Sequence, residues 1–523
     1  MPQYQLNLAS FLQRAREHSP SGEIVSAGTF PRRFTYVEHA ERVARVAGAL
    51  RSLGVRPGDR VATYAWNHHR HLELYWAIPT VGAVLHTVNI RVSPDDVAYI
   101  LDHAEDRVAF VDAELLPAID DVLRARPGIR VVVMSDDPGA PLGDYLEYEA
   151  VAGASELVLE PVPVDEEALA ALCYTSGTTG RPKGVGYSHR TLYLHTLVAA
   201  TADGHAISRD DTVLHIVPMF HANAWGVPFA ATMVGAKQVL PGAHPDPSAI
   251  AELLCSEHVT YTGMVPTVAS DLVKHVRDFG PTPNTLRAFV VGGSPPAPQL
   301  VRDIQEVLGA PVYQGWGMTE LAPMASFGRL DPDALGPEGI TQGRLLPGLE
   351  WKLLDDDDQP LPWDGQSRGE LVIRGPWVAT RYYRDEAPER FWNGWLRTGD
   401  VATIDPEGRL RIVDRKKDLI KSGGEWIIPT ELEAALLEDP TVQAAAVIGV
   451  PHPRWEERPL AVVVGAPGAS VDPERLRQQL GRHFPRWWVP DRIIVAGGLP
   501  RTSVGKLDKR ALRDQYLQAA VDE

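Results

Sequence analysis

At 523 residues the chain is too long for one compact domain of roughly 100–200 residues, so three or four folding units are expected. Hydrophobic residues make up 44% and charged residues 23%, which excludes disorder, collagen-like repeats and coiled coil as whole-chain answers. The 51 Lys plus Arg against 68 Asp plus Glu leave a formal charge of −17; this disfavours nucleic acid and anionic lipid as partners and obliges any anionic substrate to find its cations locally.

In chain order, the N-terminus lacks the basic and apolar regions of a signal peptide, and no apolar run approaches the ~20 residues of a membrane span. Apolar positions recur at helical spacing from Tyr36 to Leu53, closed by Gly54. A strand is expected over Arg60 to Trp66, a helix over His71 to Thr80, a short apolar run over Ala83 to Val88, a helix over Asp95 to His103 and a strand over Arg107 to Val111. A helical pattern covers Asp165 to Leu172. Apolar runs return at Val213 to Pro218, Gln238 to Leu240, Thr260 to Val265 and Ala288 to Gly292. This alternation predicts an α/β fold with two similar α/β halves.

Beyond about residue 340 the runs shorten (Trp351 to Leu354, Glu370 to Ile373, Leu410 to Val413) and acidic or Gly/Pro turns separate them, which predicts a β-rich subdomain. The charge cluster Asp414-Arg415-Lys416-Lys417-Asp418 is a candidate linker, with a solvated β-turn as its alternative. A small segment follows, with a helix over Thr430 to Leu437 and strands over Ala444 to Gly449 and Leu460 to Val464. Only Cys173 and Cys255 are present, without ligand spacing, which favours a reducing compartment and a cytoplasmic location.

The strongest local signal is Tyr174-Thr175-Ser176-Gly177-Thr178-Thr179-Gly180-Arg181-Pro182-Lys183-Gly184. Glycines let backbone N–H groups approach an anion, hydroxyls donate hydrogen bonds and cations neutralise phosphate, so a loop that grips polyphosphate is expected. It is not the P-loop of nucleoside triphosphatases, which requires Ser or Thr after the lysine where Gly184 stands. Together with Gly315-Trp316-Gly317-Met318-Thr319-Glu320, Arg397-Thr398-Gly399-Asp400, the Asp414 to Asp418 cluster, Lys421-Ser422-Gly423-Gly424-Glu425-Trp426 and Gly505-Lys506, this loop resembles the motif series of the adenylate-forming acyl-CoA synthetases, in order and across nearly the whole chain. Within that superfamily, Pro218 to Trp225 and Lys421 to Trp426 are most similar to fatty-acyl-CoA synthetases.

The resemblance implies a large N-terminal AMP-binding domain over residues 1–413, of two α/β subdomains plus a β-barrel-like subdomain. A hinge over 414–418 and a small mobile α+β lid domain over 419–523 would follow. It implies ATP-dependent joining of a carboxylate to AMP with release of pyrophosphate, then transfer of the acyl group to coenzyme A, with Mg2+ as cofactor. A carboxylate in the Gly-rich turn at Glu320 is an odd neighbour for triphosphate unless a hard cation lies between them; by resemblance Glu320 and Thr175 hold Mg2+. Thr319 would contact the α-phosphate, with Ser176, Gly177, Thr178, Thr179 and Lys183 on the phosphates. Gln314, Gly315, Trp316, Gly317 and Met318 would line the nucleotide and acyl-adenylate site. Trp316 stands where the family usually has Tyr, keeping a stacking face and losing a hydroxyl.

Asp400 suits a bidentate grip on the ribose hydroxyls, with a turn-capping aspartate as the plain alternative, and Arg415 would add a nucleotide contact. Gly292 and Gly293 would let adenine or acyl-adenylate approach the backbone. Lys506 would stabilise charge during adenylation, and Lys421 would serve thioester formation after the lid rotates near Lys417. Trp426 would line the coenzyme channel. His221 and Trp225 share a face if Val213 to Val234 is helical; by resemblance Trp225 gates an acyl tunnel that Ala222 lines. Asn67-His68-His69-Arg70-His71 is read as a solvated helix entrance rather than a metal site, and Asp355 to Asp358 as an acidic turn rather than a calcium loop. Fatty acid is the expected substrate; a ligase for short-chain, methylthio-alkanoic or aryl acids is the alternative, and a silent acyl-adenylate sensor a lesser one. A homodimer is expected by resemblance.

Overall fold

The computed structural model describes residues 4–28, 31–137, 142–175, 181–331, 340–385, 387–423, 425–501 and 507–521. The chain divides into two compact units, one of residues 1–177, 181–350 and 374–396, the other of residues 178–180, 351–373 and 397–523. No described helix is long and apolar enough to cross a membrane.

Two sheets build the first unit. The seven-stranded sheet is parallel through Arg130–Met134, Asp106–Asp112, Arg60–Tyr64, Val84–Thr87 and Leu169–Tyr174, and ends in the antiparallel strand Gly184–Ser188. The nine-stranded sheet carries the parallel run Val312–Gly317, Ala288–Val291, Tyr261–Met264, Thr212–Leu214, Lys237–Leu240 and Glu23–Ser26. The two halves expected from the sequence are therefore present. Parallel strands covered on both faces read as continuous apolar runs, as in the fully buried Ala288–Val291. Helices supply the covering layer: Tyr36–Ser52 opens with a capping box in which Thr35 and Glu38 satisfy each other's backbone N–H groups. Leu272, Val276, Ile304 and Leu308 pack on the nine-stranded sheet, and Val97, Ile100, Leu101, Ile119 and Leu123 on the seven-stranded one.

Two sequence expectations are corrected here. Residues 165–172 do not form a helix; Leu169–Tyr174 is a buried strand, and the Ala-rich run Leu169-Ala170-Ala171-Leu172 hid a period that burial on both faces erases. The string Asn67 to His71 opens the helix His69–Thr80 as expected, but it is interior rather than solvated, with His69, Arg70 and His71 all buried. Arg70 pairs with Glu149 at 2.8 Å and Asp136 at 2.9 Å, and His71 Nε2 meets Thr63 Oγ1 at 3.0 Å, while His69 Nδ1 has no hydrogen-bond partner among the described residues.

The second unit holds a sheet of Glu350–Leu354, Gly369–Arg374, Trp395–Ile404 and Leu410–Arg415, the β-rich segment read from the sequence. It also holds a sheet whose longest pair is the antiparallel Val442–His452 and Glu456–Gly465. The helices Pro429–Leu437 and Pro473–His483 bury Leu432, Leu436, Leu476 and Leu480 in a core that also contains Val413, Ile420 and Ile427. Asp355 closes the acidic turn by accepting from the N–H groups of Asp357 and Gln359, the turn expected there.

Candidate active site

The hairpin of Leu169–Tyr174 and Gly184–Ser188 carries the two ends of the Gly-rich loop. Its last rungs are Thr175 N donating to Lys183 O at 2.9 Å and Lys183 N donating to Thr175 Oγ1 at 3.2 Å, so the two ends of the loop are pinned together. Ser176, Gly177, Thr178 and Thr179 lie outside the described residues. Gly184 is a glycine for a reason of space: a Cβ there would stand 3.1 Å from Tyr383 Cβ and 3.2 Å from Tyr174 Cζ. Lys183 extends to within 3.6 Å of Asp385 and 4.8 Å of the Tyr382 ring centre, a cation–π distance.

The strand Val312–Gly317 runs antiparallel to Met324–Leu330 and leads into the short turn Thr319–Leu321. Gly317 permits this reversal, since a Cβ would collide with Pro323 O at 2.0 Å. Trp316, Thr319 and Glu320 are all buried. The Thr319 carbonyl accepts from the Tyr187 hydroxyl at 2.7 Å, tying the turn to the phosphate-loop hairpin. Glu320 Oε1 accepts from the Tyr382 hydroxyl at 2.7 Å and lies 3.7 Å from Arg390. Burial and this carboxylate push the Tyr382 hydroxyl well above its ordinary range, so it remains a donor at neutral pH. Gln314, 2% exposed, has no partner for Oε1 among the described residues, an unusual state for a buried acceptor and one that a ligand donor would relieve.

The segment carrying His221, Ala222 and Trp225 is not a continuous helix, and the shared helical face does not exist. Thr212–Leu214 is a strand, Val227–Val234 is a helix, and Ala222, Asn223, Ala224 and Trp225 between them have φ of 43°, 49°, 51° and 60°. Four successive non-glycine residues in the left-handed region are costly, and Asn223 is held by Oδ1 contacts at 3.4 Å to Thr87 and Cys173. The turn projects the Trp225 indole over Gly263 and Gly292: a Cβ would meet its ring at 3.2 Å at the first and 2.6 Å at the second. The space above Gly292 thus receives a protein side chain. Gly293, exposed at φ 85°, continues the turn.

In the second unit Asp400 sits opposite Arg415 across an antiparallel pair, and the Arg415 Nε reaches its carboxylate at 2.8 Å. Asp400 is 2% exposed, its N–H donates to Thr398 Oγ1, and that hydroxyl donates to Leu371 O at 2.7 Å; this is a preset carboxylate rather than a surface cap. The 414–418 cluster ends in a turn at which Lys416 is exposed, but Asp414 and Asp418 are buried, Asp414 accepts from the N–H groups of Arg415 and Thr430, and Asp418 pairs with Arg513 at 2.8 Å. Lys417 is exposed at the turn. Lys421 and Trp426 face each other in a hairpin of Ile420–Ser422 and Glu425–Ile427, with Lys421 Nζ 3.2 Å from Glu456 and Trp426 43% exposed. Lys506 and Gly424 lie outside the described residues.

Sequence reasoning missed Tyr187, Tyr382, Asp385 and Arg390. The run Arg381-Tyr382-Tyr383-Arg384-Asp385 is legible as dense in aromatic and charged residues, but its pairing with Glu320, 62 positions away, is not.

Residues 12–383 match the AMP-binding enzyme family and residues 431–506 its C-terminal domain. The chain is 46% identical to a long-chain-fatty-acid–CoA ligase of Thermus thermophilus, over 98% of this chain and 96% of that one. It is 38% identical to a medium-chain-fatty-acid–CoA ligase of Ectopseudomonas oleovorans, over 99% and 97%, and 38% identical to a 3-methylmercaptopropionyl-CoA ligase of Ruegeria lacuscaerulensis, over 98% of both. Among solved structures, an anthranilate CoA ligase in complex with anthranoyl-AMP superposes with a TM-score of 0.87 at 25% identity, covering 100% and 99% of the two chains. ATP-bound MatB of Rhodopseudomonas palustris gives 0.85 at 27%, covering 99% and 100%. By the family match over residues 12–383 and the 46% identity to the Thermus thermophilus ligase, the chain belongs to the AMP-binding enzyme family of adenylate-forming enzymes.

Proposed function

We propose that the protein is an AMP-forming fatty-acid–CoA ligase, which adenylates a fatty carboxylate and then passes the acyl group to coenzyme A. The observation that carries the reading furthest is Trp225 lying over Gly263 and Gly292 on a strained turn: an indole placed against bare backbone can swing aside and open an apolar slot, whereas larger residues at 263 and 292 would fill it. The likeness to long- and medium-chain-fatty-acid–CoA ligases supports the same substrate class. A methylthio-alkanoic acid is the second reading, favoured by the comparable likeness to the 3-methylmercaptopropionyl-CoA ligase.

In this account the loop pinned by Thr175 and Lys183 encloses the phosphates, and Lys183 offsets charge as carboxylate and α-phosphate approach. Positioning and charge neutralisation do most of the work in such a transfer. The buried Glu320 and the Thr175 hydroxyl suit a hard divalent cation such as Mg2+, which keeps most of its waters and takes few protein oxygens; when bound, it would neutralise phosphate charge. Asp400, preset by Thr398 and Arg415, receives the ribose hydroxyls. Within the same reading residues 414–418 serve as the hinge, Lys506 serves adenylation and Lys421 serves thioester formation. The thiols Cys173 and Cys255, both free, and the family likeness favour a cytoplasmic homodimer.

Thioester formation across C2 to C18 and aryl carboxylates tests the substrate assignment. The account expects kcat/KM to peak on an unbranched fatty acid; a peak on aryl or C2–C3 acids would reject it, and a peak on methylthio-propionate would select the second reading.

A further inference from the structure

One side chain in the first unit touches both charged groups assigned above to cation and phosphate. The Tyr382 hydroxyl donates to Glu320 Oε1 at 2.7 Å, and its ring centre lies 4.8 Å from Lys183 Nζ. Its neighbours repeat the pattern: Asp385 approaches the same ammonium at 3.6 Å, and Arg390 approaches the same carboxylate oxygen at 3.7 Å. The turn is itself braced. Tyr383 N donates to Gly184 O at 2.7 Å, Tyr382 and Asp385 form a backbone bridge, and Arg384, at φ 52°, pairs with Glu105 at 2.7 Å. Tyr382 is 5% exposed and packs edge-on against Phe391 at 5.3 Å, so its ring has one place to be.

We infer that Tyr382 is a positioning residue for nucleotide binding, its hydroxyl orienting Glu320 toward the cation and its ring holding Lys183 toward the phosphates. The hydrogen bond occupies Oε1 and leaves Oε2 as the oxygen for a cation, while the ring face restrains an otherwise mobile ammonium without neutralising it. Asp385 and Arg390 compensate the two charges until phosphate and cation arrive. The inference rests on the reading that Glu320 takes the divalent cation and Lys183 the phosphates.

Calorimetric ATP binding by the full chain, with Mg2+ and with EDTA, separates the two contacts. Tyr382→Phe keeps the ring and loses the hydroxyl; it is expected to weaken ATP binding about tenfold with Mg2+ and to leave binding in EDTA unchanged. Tyr382→Leu loses both and is expected to weaken binding in EDTA as well, by about threefold. KM for the carboxylate should stay within about twofold, because catalytic positioning of the acyl group does not pass through this residue. Glu320→Gln is the reference and should abolish most of the advantage of Mg2+ over EDTA. If Glu320→Gln does so while Tyr382→Phe binds like wild type in both buffers, the positioning role is overturned and the cation reading stands. A loss of ATP and carboxylate affinity together in Tyr382→Phe, in step with a lowered melting point, assigns Tyr382 to the core and also overturns it. If Glu320→Gln keeps the full advantage of Mg2+, the cation reading falls and the inference with it.

Discussion

Trp225 owes its place to two absences. Gly263 and Gly292 carry no Cβ, and the indole lies where those atoms would stand. Replacing Gly292 by Ala should displace the ring and change KM for long acyl chains by about tenfold, while KM for ATP moves little. Trp225→Ala should broaden or lengthen the acyl preference by a similar factor, and an unchanged acyl profile in steady-state assays on both variants would remove Trp225 from the acyl path. These residues show what a sequence holds at this scale. Glu320, Asp400 and Lys183 stand out in the sequence because a charge in a Gly-rich or strand-ending segment has few other reasons to be there. Their partners are not legible: Tyr382 and Arg390 on Glu320, and Tyr187 on Thr319, are joined by chain reversals that no local spacing encodes. Three of the cations proposed to meet an anionic substrate on a −17 chain are paired with acids: Lys183 with Asp385, Arg415 with Asp400 and Lys421 with Glu456.

Among elements, burial sets what can be read. Helices with one wet face, such as Tyr36–Ser52 and Pro94–Ala104, were legible from their apolar period. Leu169–Tyr174, dry on both faces, read as a helix. The left-handed turn at Ala222 to Trp225 has no signature at all, because alanine and tryptophan seldom adopt that conformation; only the surrounding contacts of Asn223 impose it. Ala224→Gly should therefore be nearly neutral in thermal unfolding, strain relief of about 1 kcal/mol being offset by backbone entropy, whereas Ala224→Val should cost about 2 kcal/mol or more.

The strand end at Asp414 makes a pH prediction. Burial raises its carboxyl to about 6, against the opposing charge of Lys509 and with the help of Glu433. The folded chain then holds a proton that the unfolded chain has released between about pH 4 and pH 6, so stability falls as pH rises through that window and is flat above it. Relative to Asp414→Asn, wild type should lose on the order of 3 kcal/mol across the window. Parallel pH curves for the two proteins in calorimetric unfolding would contradict this.

For the whole molecule, the alternation of helix and strand made the α/β class legible, and the ordered motif series made the family legible. The way the chain partitions was less so. The strands Gly369–Arg374 and Trp395–Ile404 begin or end within a few residues of the boundaries between the two compact units, because sheet pairing joins segments that hydropathy treats as separate. Lys421 and the Asp400–Arg415 pair fall in the smaller unit and the hairpin of Leu169–Tyr174 and Gly184–Ser188 in the larger. The proposed division of labour gives Lys506 to adenylation and Lys421 to thioester formation.

Carboxylate-dependent exchange of pyrophosphate into ATP, measured without coenzyme A, tests this most directly. The account predicts exchange by wild type and by Lys421→Ala, loss of exchange in Lys506→Ala, and impaired thioester formation from supplied acyl-AMP in Lys421→Ala alone. Equal loss of both steps in both variants would contradict the division of labour, and an absence of carboxylate-dependent exchange in wild type would contradict adenylation itself.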